Sequence, residues 1–166
     1  LITESAGGLI GAYASKSPWI QKVIAIHPPV LGTPLADGRL LENQKLNYTA
    51  EEKMLIFIIR HIVNRDYGFE RDNLNGLVLS KADLDKLIVL SSKLHRETEK
   101  NQMLVMLYDL IIKTTGLKTD GVVVYDPKKL AQLGIKYLEN EPELNHIDAN
   151  SREYLADVYK RRRVIK

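Results

Sequence analysis

The sequence predicts an α/β fold with a mostly parallel sheet, and two observations carry the prediction. Leu1-Ile2-Thr3 is a short β-prone run, followed at once by the glycine-rich turn Glu4-Ser5-Ala6-Gly7-Gly8 and by Leu9, Ile10, Tyr13 and Ala14 at helical spacing. Lys22-Val23-Ile24-Ala25-Ile26 then offers a second, buried-type strand. Two strands joined by a helix run parallel, and the crossover lays helices over the sheet faces.

Composition fits that class. The 166 residues are 45% apolar and 27% charged, with a net charge of +3, which excludes a disordered, collagenous or disulfide-stapled chain. Cysteine is lacking, so thiolate metal sites and cysteine nucleophiles are excluded, while the compartment stays open. The longest apolar run, Met54 to Ile59, is six residues, far short of a membrane span. The small net charge, without a stripe of basic and aromatic residues, argues against nucleic acid.

Ser17-Pro18 stops the first helix, and the three prolines of His27-Pro28-Pro29-Val30-Leu31-Gly32-Thr33-Pro34 make an irregular loop after the second strand. Thr49-Ala50-Glu51-Glu52 is a capping box. The helix it opens is apolar on both sides, with Leu55, Ile58, Ile59 and Ile62 opposite Ile56, Phe57 and Val63. Ser80-Lys81-Ala82-Asp83 predicts a second helix striped by Leu84, Leu87, Ile88, Ser91 and Leu94. A third is expected from about Glu97 to a left-handed cap at Gly116. Residues 49–115 therefore read as a helical cap inserted between two core segments, 1–48 and 116–166. The second core segment carries Val122-Val123-Val124, Ile135-Lys136-Tyr137-Leu138 and a last helix with Tyr154, Leu155, Val158 and Tyr159, capped from Asn150-Ser151.

A serine on a sharp strand-to-helix turn needs small neighbours, and Ser5 has Ala6, Gly7 and Gly8 after it. Such a turn exposes the hydroxyl and aims the Ala6 N–H into the same space, where it suits a tetrahedral oxyanion. A serine hydroxyl becomes a nucleophile when a histidine takes its proton and a carboxylate orients that histidine. Of the four histidines, His61 lies within the apolar helix and His95 beside Arg96, both reading as structural or solvated. His27, in the proline loop, suits a pocket wall. His146, in Asn145-His146-Ile147-Asp148, is the best base. Asp120, in Thr119-Asp120-Gly121, is the best acid, with Asp126 as the fallback.

These segments resemble the α/β-hydrolase fold of bacterial triacylglycerol lipases and esterases. Glu4-Ser5-Ala6-Gly7-Gly8 is similar to their nucleophile elbow, which commonly reads His-Ser-Met-Gly-Gly. Gly32-Thr33 followed by Leu35-Ala36-Asp37 stands about where they carry Gly-Thr-Pro-His-x-Gly-Ser. Thr119-Asp120-Gly121-Val122-Val123 resembles their Asn-Asp-Gly-Leu-Val, and Leu144-Asn145-His146-Ile147-Asp148 their Asn-His-x-Asp. The resemblance implies Ser5 as nucleophile, Asp120 as acid, His146 as base, Ala6 in the oxyanion hole, and residues 49–115 as a lid. Glu4 and His27 are assigned to the substrate pocket. No cofactor is implied, although a structural calcium at Asp148 is an option, and Asp148 more simply caps the last helix.

The departures matter as well. Thr3 stands where the elbow usually has glycine, and Glu4 replaces the usual histidine. In that fold several strands and a second oxyanion donor precede the elbow, so an amino-terminal segment before Leu1 is expected. The expected activity is hydrolysis of carboxylic esters through an acyl-serine; thioester, amide and acyl-transfer chemistry share the constellation. The rivals are a decayed hydrolase fold serving as a binding protein and a lipid-surface adaptor using the cap and the basic tail from Lys160 to Lys166.

Overall fold

The computed structural model describes residues 1–35, 46–62, 79–139 and 144–161. Its centre is a four-stranded sheet formed by β1 (Ile2–Glu4), β2 (Val23–Ile26), β3 (Leu87–Ser91) and β6 (Lys136–Glu139). The strands lie in that order, and every pairing is parallel. The chain is therefore α/β with a parallel sheet and flanking helices.

The two central strands are buried along their whole length, and apolar at every position but Ser91, because both faces are covered. Val23 and Ala25 of β2 and Leu87 and Val89 of β3 pack on one side with Ala12 of α1 (Gly7–Ala14) and Leu130 of α5 (Pro127–Gln132). Ile24, Ile26, Ile88 and Leu90 point the other way, onto Tyr154 and Val158 of α6 (Arg152–Arg161). Ser151 caps α6, its hydroxyl accepting the Tyr154 N–H at 3.3 Å. Asp148 does not cap it; that carboxylate lies in the short 3-10 turn Asp148–Asn150.

The stripe through Leu84, Leu87, Ile88 and Ser91 is not a helix. Only α3 (Lys81–Leu84) is helical, closed by a capping box between Ser80 and Asp83, and the chain then enters β3. As a strand, residues 87–90 bury all four side chains, at roughly 2 kcal/mol each. A helix there would turn part of that surface to water. Helical and two-sided strand patterns coincide over so short a run, and tertiary burial decides between them. Residues 49–115 are accordingly not wholly helical, since they contribute a central strand of the sheet.

Two helices do stand beyond the strands' carboxyl ends. The Thr49–Glu52 capping box opens α2 (Ala50–Ile62), with Glu52 N–H to Thr49 Oγ1 at 3.2 Å and Thr49 N–H to Glu52 Oε2 at 2.7 Å. Asn101 caps α4 (Gln102–Thr115), which ends at Gly116 in a left-handed conformation, φ +67°. Leu55, Ile56 and Ile59 of α2 pack with Leu104, Leu107 and Ile111 of α4 in a second core. Lys113 of α4 joins the helices by an ion pair to Glu52 at 2.8 Å. Met54 and Phe57 on the other side of α2 are exposed.

The segment around Val122 forms less sheet than its composition predicts. A separate antiparallel pair joins β4 (Lys118–Thr119) to β5 (Val124–Tyr125). Among the described residues no helix is long and apolar enough to cross a membrane. The His61 side chain, Ala36-Asp37, and the basic tail after Arg161 lie outside the described residues.

Candidate functional site

The strand β1 hands the chain to α1 through one residue with positive φ, Ser5 at +49°. A non-glycine residue in this region is strained, and the cost is borne by what surrounds it. Here the Ser5 N–H continues the ladder to Ile26 O at 2.9 Å, while the Gly8 N–H closes on Ser5 O at 2.8 Å. The helix can follow so closely because Gly8 and Gly11 carry no side chain. A Cβ at Gly8 would lie 2.3 Å from Pro28 Cβ. One at Gly11 would meet Val23 at 2.9 Å and Thr3 at 3.0 Å. Thr3 is thus tolerated in the elbow because the opposing helix position is glycine.

Asp120 is held by its own Asp-Gly turn. Oδ1 accepts the Val122 and Val123 N–H groups at 2.9 and 2.8 Å, and Gly121 takes φ +100°. The turn leaves Oδ2 free to face the sheet's carboxyl edge. His146 reaches that oxygen from the loop after β6, with Nδ1 at 2.7 Å, and its backbone N–H also bonds Asp120 O at 3.0 Å. An ionised carboxylate only accepts, so the proton sits on Nδ1 and the Nε2 lone pair is left for the Ser5 hydroxyl, 2.8 Å away. Ser5, His146 and Asp120, spread over most of the sequence, form one hydrogen-bonded line.

The electrostatics follow from burial and pairing. Asp120 is 2% exposed. Burial, the largest single influence, pushes its carboxyl up, but the hydrogen bonds and charges of His146 and His27 outweigh it and hold the group well below the usual carboxylate range. For His146 burial likewise opposes the charged ring, and the Asp120 bond and charge, with a smaller push from Glu4, raise the imidazole above its ordinary 6.5. Glu4, whose Oε1 lies 3.9 Å from His146 Nε2, is raised by burial against the pull of the two histidines.

Ser5 and Ala6 open onto an apolar cavity of about 400 Å³ whose walls include Leu55, Ile58, Met103, Leu107 and Val123. Thr33 closes one side, donating its hydroxyl to Val122 O at 2.6 Å. Ala6 precedes the first turn of α1, where backbone N–H groups lack intrahelical acceptors. Its N–H is therefore suited to receive negative charge beside the Ser5 hydroxyl.

His27 does not line this cavity. It is 1% exposed, has φ +46° at the end of β2, and turns its ring under the site. Its Nε2 accepts the Ser92 N–H at 3.2 Å and lies 2.9 Å from the Ser92 hydroxyl. An accepting Nε2 puts the ring proton on Nδ1, which stands 2.7 Å from Asp120 Oδ2. The N–H is aimed off the direct line to the oxygen, so the contact is short but bent. Glu4 does not line the cavity either and instead borders the His146 ring.

Asp126, the fallback acid, is spent elsewhere. Its Oδ1 caps α5 by accepting the Lys128 and Lys129 N–H groups, with Pro127 in the first turn. His95 is exposed and meets Thr98 within one turn. Asp148 takes part in a brace around Asn145, whose Nδ2 donates to Asp148 Oδ2 at 2.8 Å and Glu99 Oε2 at 2.6 Å. Asn145 Oδ1 accepts the Ile147 and Asp148 N–H groups, fixing the loop on either side of His146. One amide thus gives a hydrogen to each carboxylate, and Glu99 Oε1 also accepts the Asn101 N–H at 2.7 Å.

His27, Asp120 and His146 together have the ligand atoms of a metal site. Their geometry does not fit one. Both imidazole nitrogens sit 2.7 Å from the same carboxylate oxygen, closer than about 3.3 Å, the separation of neighbouring ligands around a tetrahedral ion with bonds near 2 Å.

Sequence reasoning missed Ser92 and the Glu99–Asn145 brace. Ser92 follows directly on β3, and reading 87–91 as a strand would have placed it at the functional edge. Glu99 carries no local signal, since its partner lies 46 residues away. No protein-family model matches the chain, and no curated protein matches it.

Proposed function

We propose that this chain carries the active site of a serine esterase of the α/β-hydrolase kind, acting on carboxylic esters with an aliphatic acyl group. The observation that carries the reading is the Ser5–His146–Asp120 line, 2.8 and 2.7 Å per link, opening on an apolar cavity.

In the reaction, His146 Nε2 takes the Ser5 proton as Oγ bonds to the ester carbonyl carbon. The carbonyl oxygen becomes an oxyanion facing the Ala6 N–H, and one such donor is worth about 3 kcal/mol in comparable sites. Collapse breaks the bond to the alcohol, which leaves with the proton from His146. Water, deprotonated by the same nitrogen, then attacks the acyl-serine; the carboxylic acid leaves and Ser5 regains its proton. Asp120 stays ionised throughout and stabilises the imidazolium that forms twice. The acyl chain lies in the cavity, and α2 and α4, with exposed Phe57 and Met103, act as its cap.

Thr3 and Glu4, read from sequence, favour a decayed site; the fit of Thr3 against Gly11 supports an intact turn at Ser5. The test is reaction of the protein with a fluorophosphonate, read by mass spectrometry. Labelling at Ser5 that disappears in Ser5→Ala and His146→Ala is expected. An unlabelled wild-type protein with intact fold would overturn the reading.

A further inference from the structure

The histidine buried beneath the site is an ionisable ring that the acyl-serine mechanism leaves unused. We propose that His27 is a positioning residue, clamping Asp120 Oδ2 from the side opposite the solvent so that two imidazoles share one carboxylate oxygen. The proposal rests on the serine-hydrolase reading for its meaning in catalysis, but its geometry stands apart from it.

Three observations support the clamp. The first is that His27 is built into place at a cost: it holds φ +46°, where a side chain is disfavoured, and is almost fully buried. The second is its far nitrogen. Nε2 accepts the Ser92 N–H, which fixes both the ring and its tautomer, and Ser92 Oγ is itself tied to Leu144 O at 3.1 Å. That places an N–H, and not a lone pair, beside the carboxylate; two lone pairs at 2.7 Å would repel. The third is that His146 and His27 meet the same oxygen, with ring centroids 6.0 Å apart. Oδ1 is already occupied by two backbone N–H groups.

The consequence is a tempered acid. A carboxylate that gives all of Oδ2 to His146 would hold the imidazolium more firmly and surrender its proton less readily to the leaving group. Sharing the oxygen with His27 draws off part of that charge and prevents the carboxylate from rotating. Among the described residues, the charged and titratable groups facing His146 are Asp120 at Nδ1, Glu4 near Nε2 and the His27 ring; those near His27 are Asp120, the His146 ring and Glu4. Removing the His27 donor therefore raises the His146 midpoint.

The test is an NMR titration of the histidine-labelled full chain, free of substrate, beside the pH profile of kcat/KM on a p-nitrophenyl ester. His27→Leu removes the donor and keeps bulk. His27→Gly removes it and relieves the positive φ, serving if the leucine variant does not fold. His27→Asn returns an N–H near the Nδ1 position on a residue type that tolerates positive φ. The His146 midpoint is expected to move upward by about half a unit or more in His27→Leu or His27→Gly, with kcat down about tenfold, and back toward wild type in His27→Asn. The same His146 midpoint in wild type and the donor-less variants, or a downward shift, overturns the clamp. Ester hydrolysis by wild type with an unmoved midpoint sinks the clamp alone. A moved midpoint in a protein that hydrolyses no ester and takes no fluorophosphonate sinks the functional reading alone.

Discussion

Ser5 and His27 end neighbouring parallel strands in the same way: each leaves the ladder at positive φ, +49° and +46°, while its N–H still bonds the next strand, to Ile26 O and Leu90 O. One turn throws a hydroxyl up into the cavity and the other throws an imidazole beneath the carboxylate. Two strained residues on adjacent strands are thus aimed, through His146 and Asp120, at one group of atoms. Strain of this kind persists only where surrounding contacts over-determine the backbone.

Ser5→Ala and His146→Ala should each lower kcat/KM for an activated ester by about four orders of magnitude or more, and Asp120→Asn by about four. The amide at 120 keeps the shape but can present its NH2 to His146 and leave the wrong tautomer. Steady-state hydrolysis of p-nitrophenyl esters measures this. Ester turnover surviving in purified Ser5→Ala would remove Ser5 from the nucleophile's role.

Because only neutral His146 can accept the Ser5 proton, kcat/KM should rise with pH through a midpoint above 6.5, the ordinary imidazole value. Asp120→Asn should move that midpoint down. In stability the two groups act in opposite windows. Asp120, depressed, contributes stability that is present above the ordinary carboxylate range and is lost as pH falls through its lowered folded value. His146, raised, contributes stability that is complete below 6.5 and is lost as pH rises through its folded value. Urea titrations across pH, on wild type and Asp120→Asn, separate the two.

Gly7 and Gly8 are adjacent in sequence and should respond oppositely. A Cβ at Gly7 meets only Thr3 Cβ, at 3.8 Å, so Gly7→Ala should be neutral or up to about 1 kcal/mol more stable. A Cβ at Gly8 would collide with Pro28 at 2.3 Å, so Gly8→Ala should cost about 1–3 kcal/mol and loosen the elbow. The Thr3 hydroxyl is buried with no partner among the described residues, and Thr3→Val should gain about 1 kcal/mol. Equilibrium denaturation reads all three.

Ile58 lines the cavity from α2 and is partly open to solvent. Ile58→Trp should fill part of the acyl space and shift kcat/KM about tenfold toward short over long acyl chains, since each methylene in such a pocket is worth about 1–3 kcal/mol. A chain-length profile identical to wild type would place the acyl chain elsewhere.

What could be read from sequence was what a few neighbouring residues encode. The Thr49–Glu52 box, the Gly116 cap, the Asp120-Gly121 turn and the small residues after Ser5 each specify local backbone over one turn, so their signals survive without the rest of the molecule. The types and order of Ser5, Asp120 and His146 were legible for the same reason. Other assignments were decided only by packing. Residues 87–91 satisfy helical and strand spacing equally, and burial between α1 and α6 makes them a strand. Asp120 and Asp126 are both acids in loops, and only the register of the folded chain gives one to two imidazoles and the other to a helix amino terminus. His27 finds Asp120 and Ser92, and Glu99 finds Asn145, at sequence separations of 46 or more, where no local pattern can signal a partner. Local conformational preference is written residue by residue, whereas long-range pairing is fixed when a sheet sets which strand ends lie side by side.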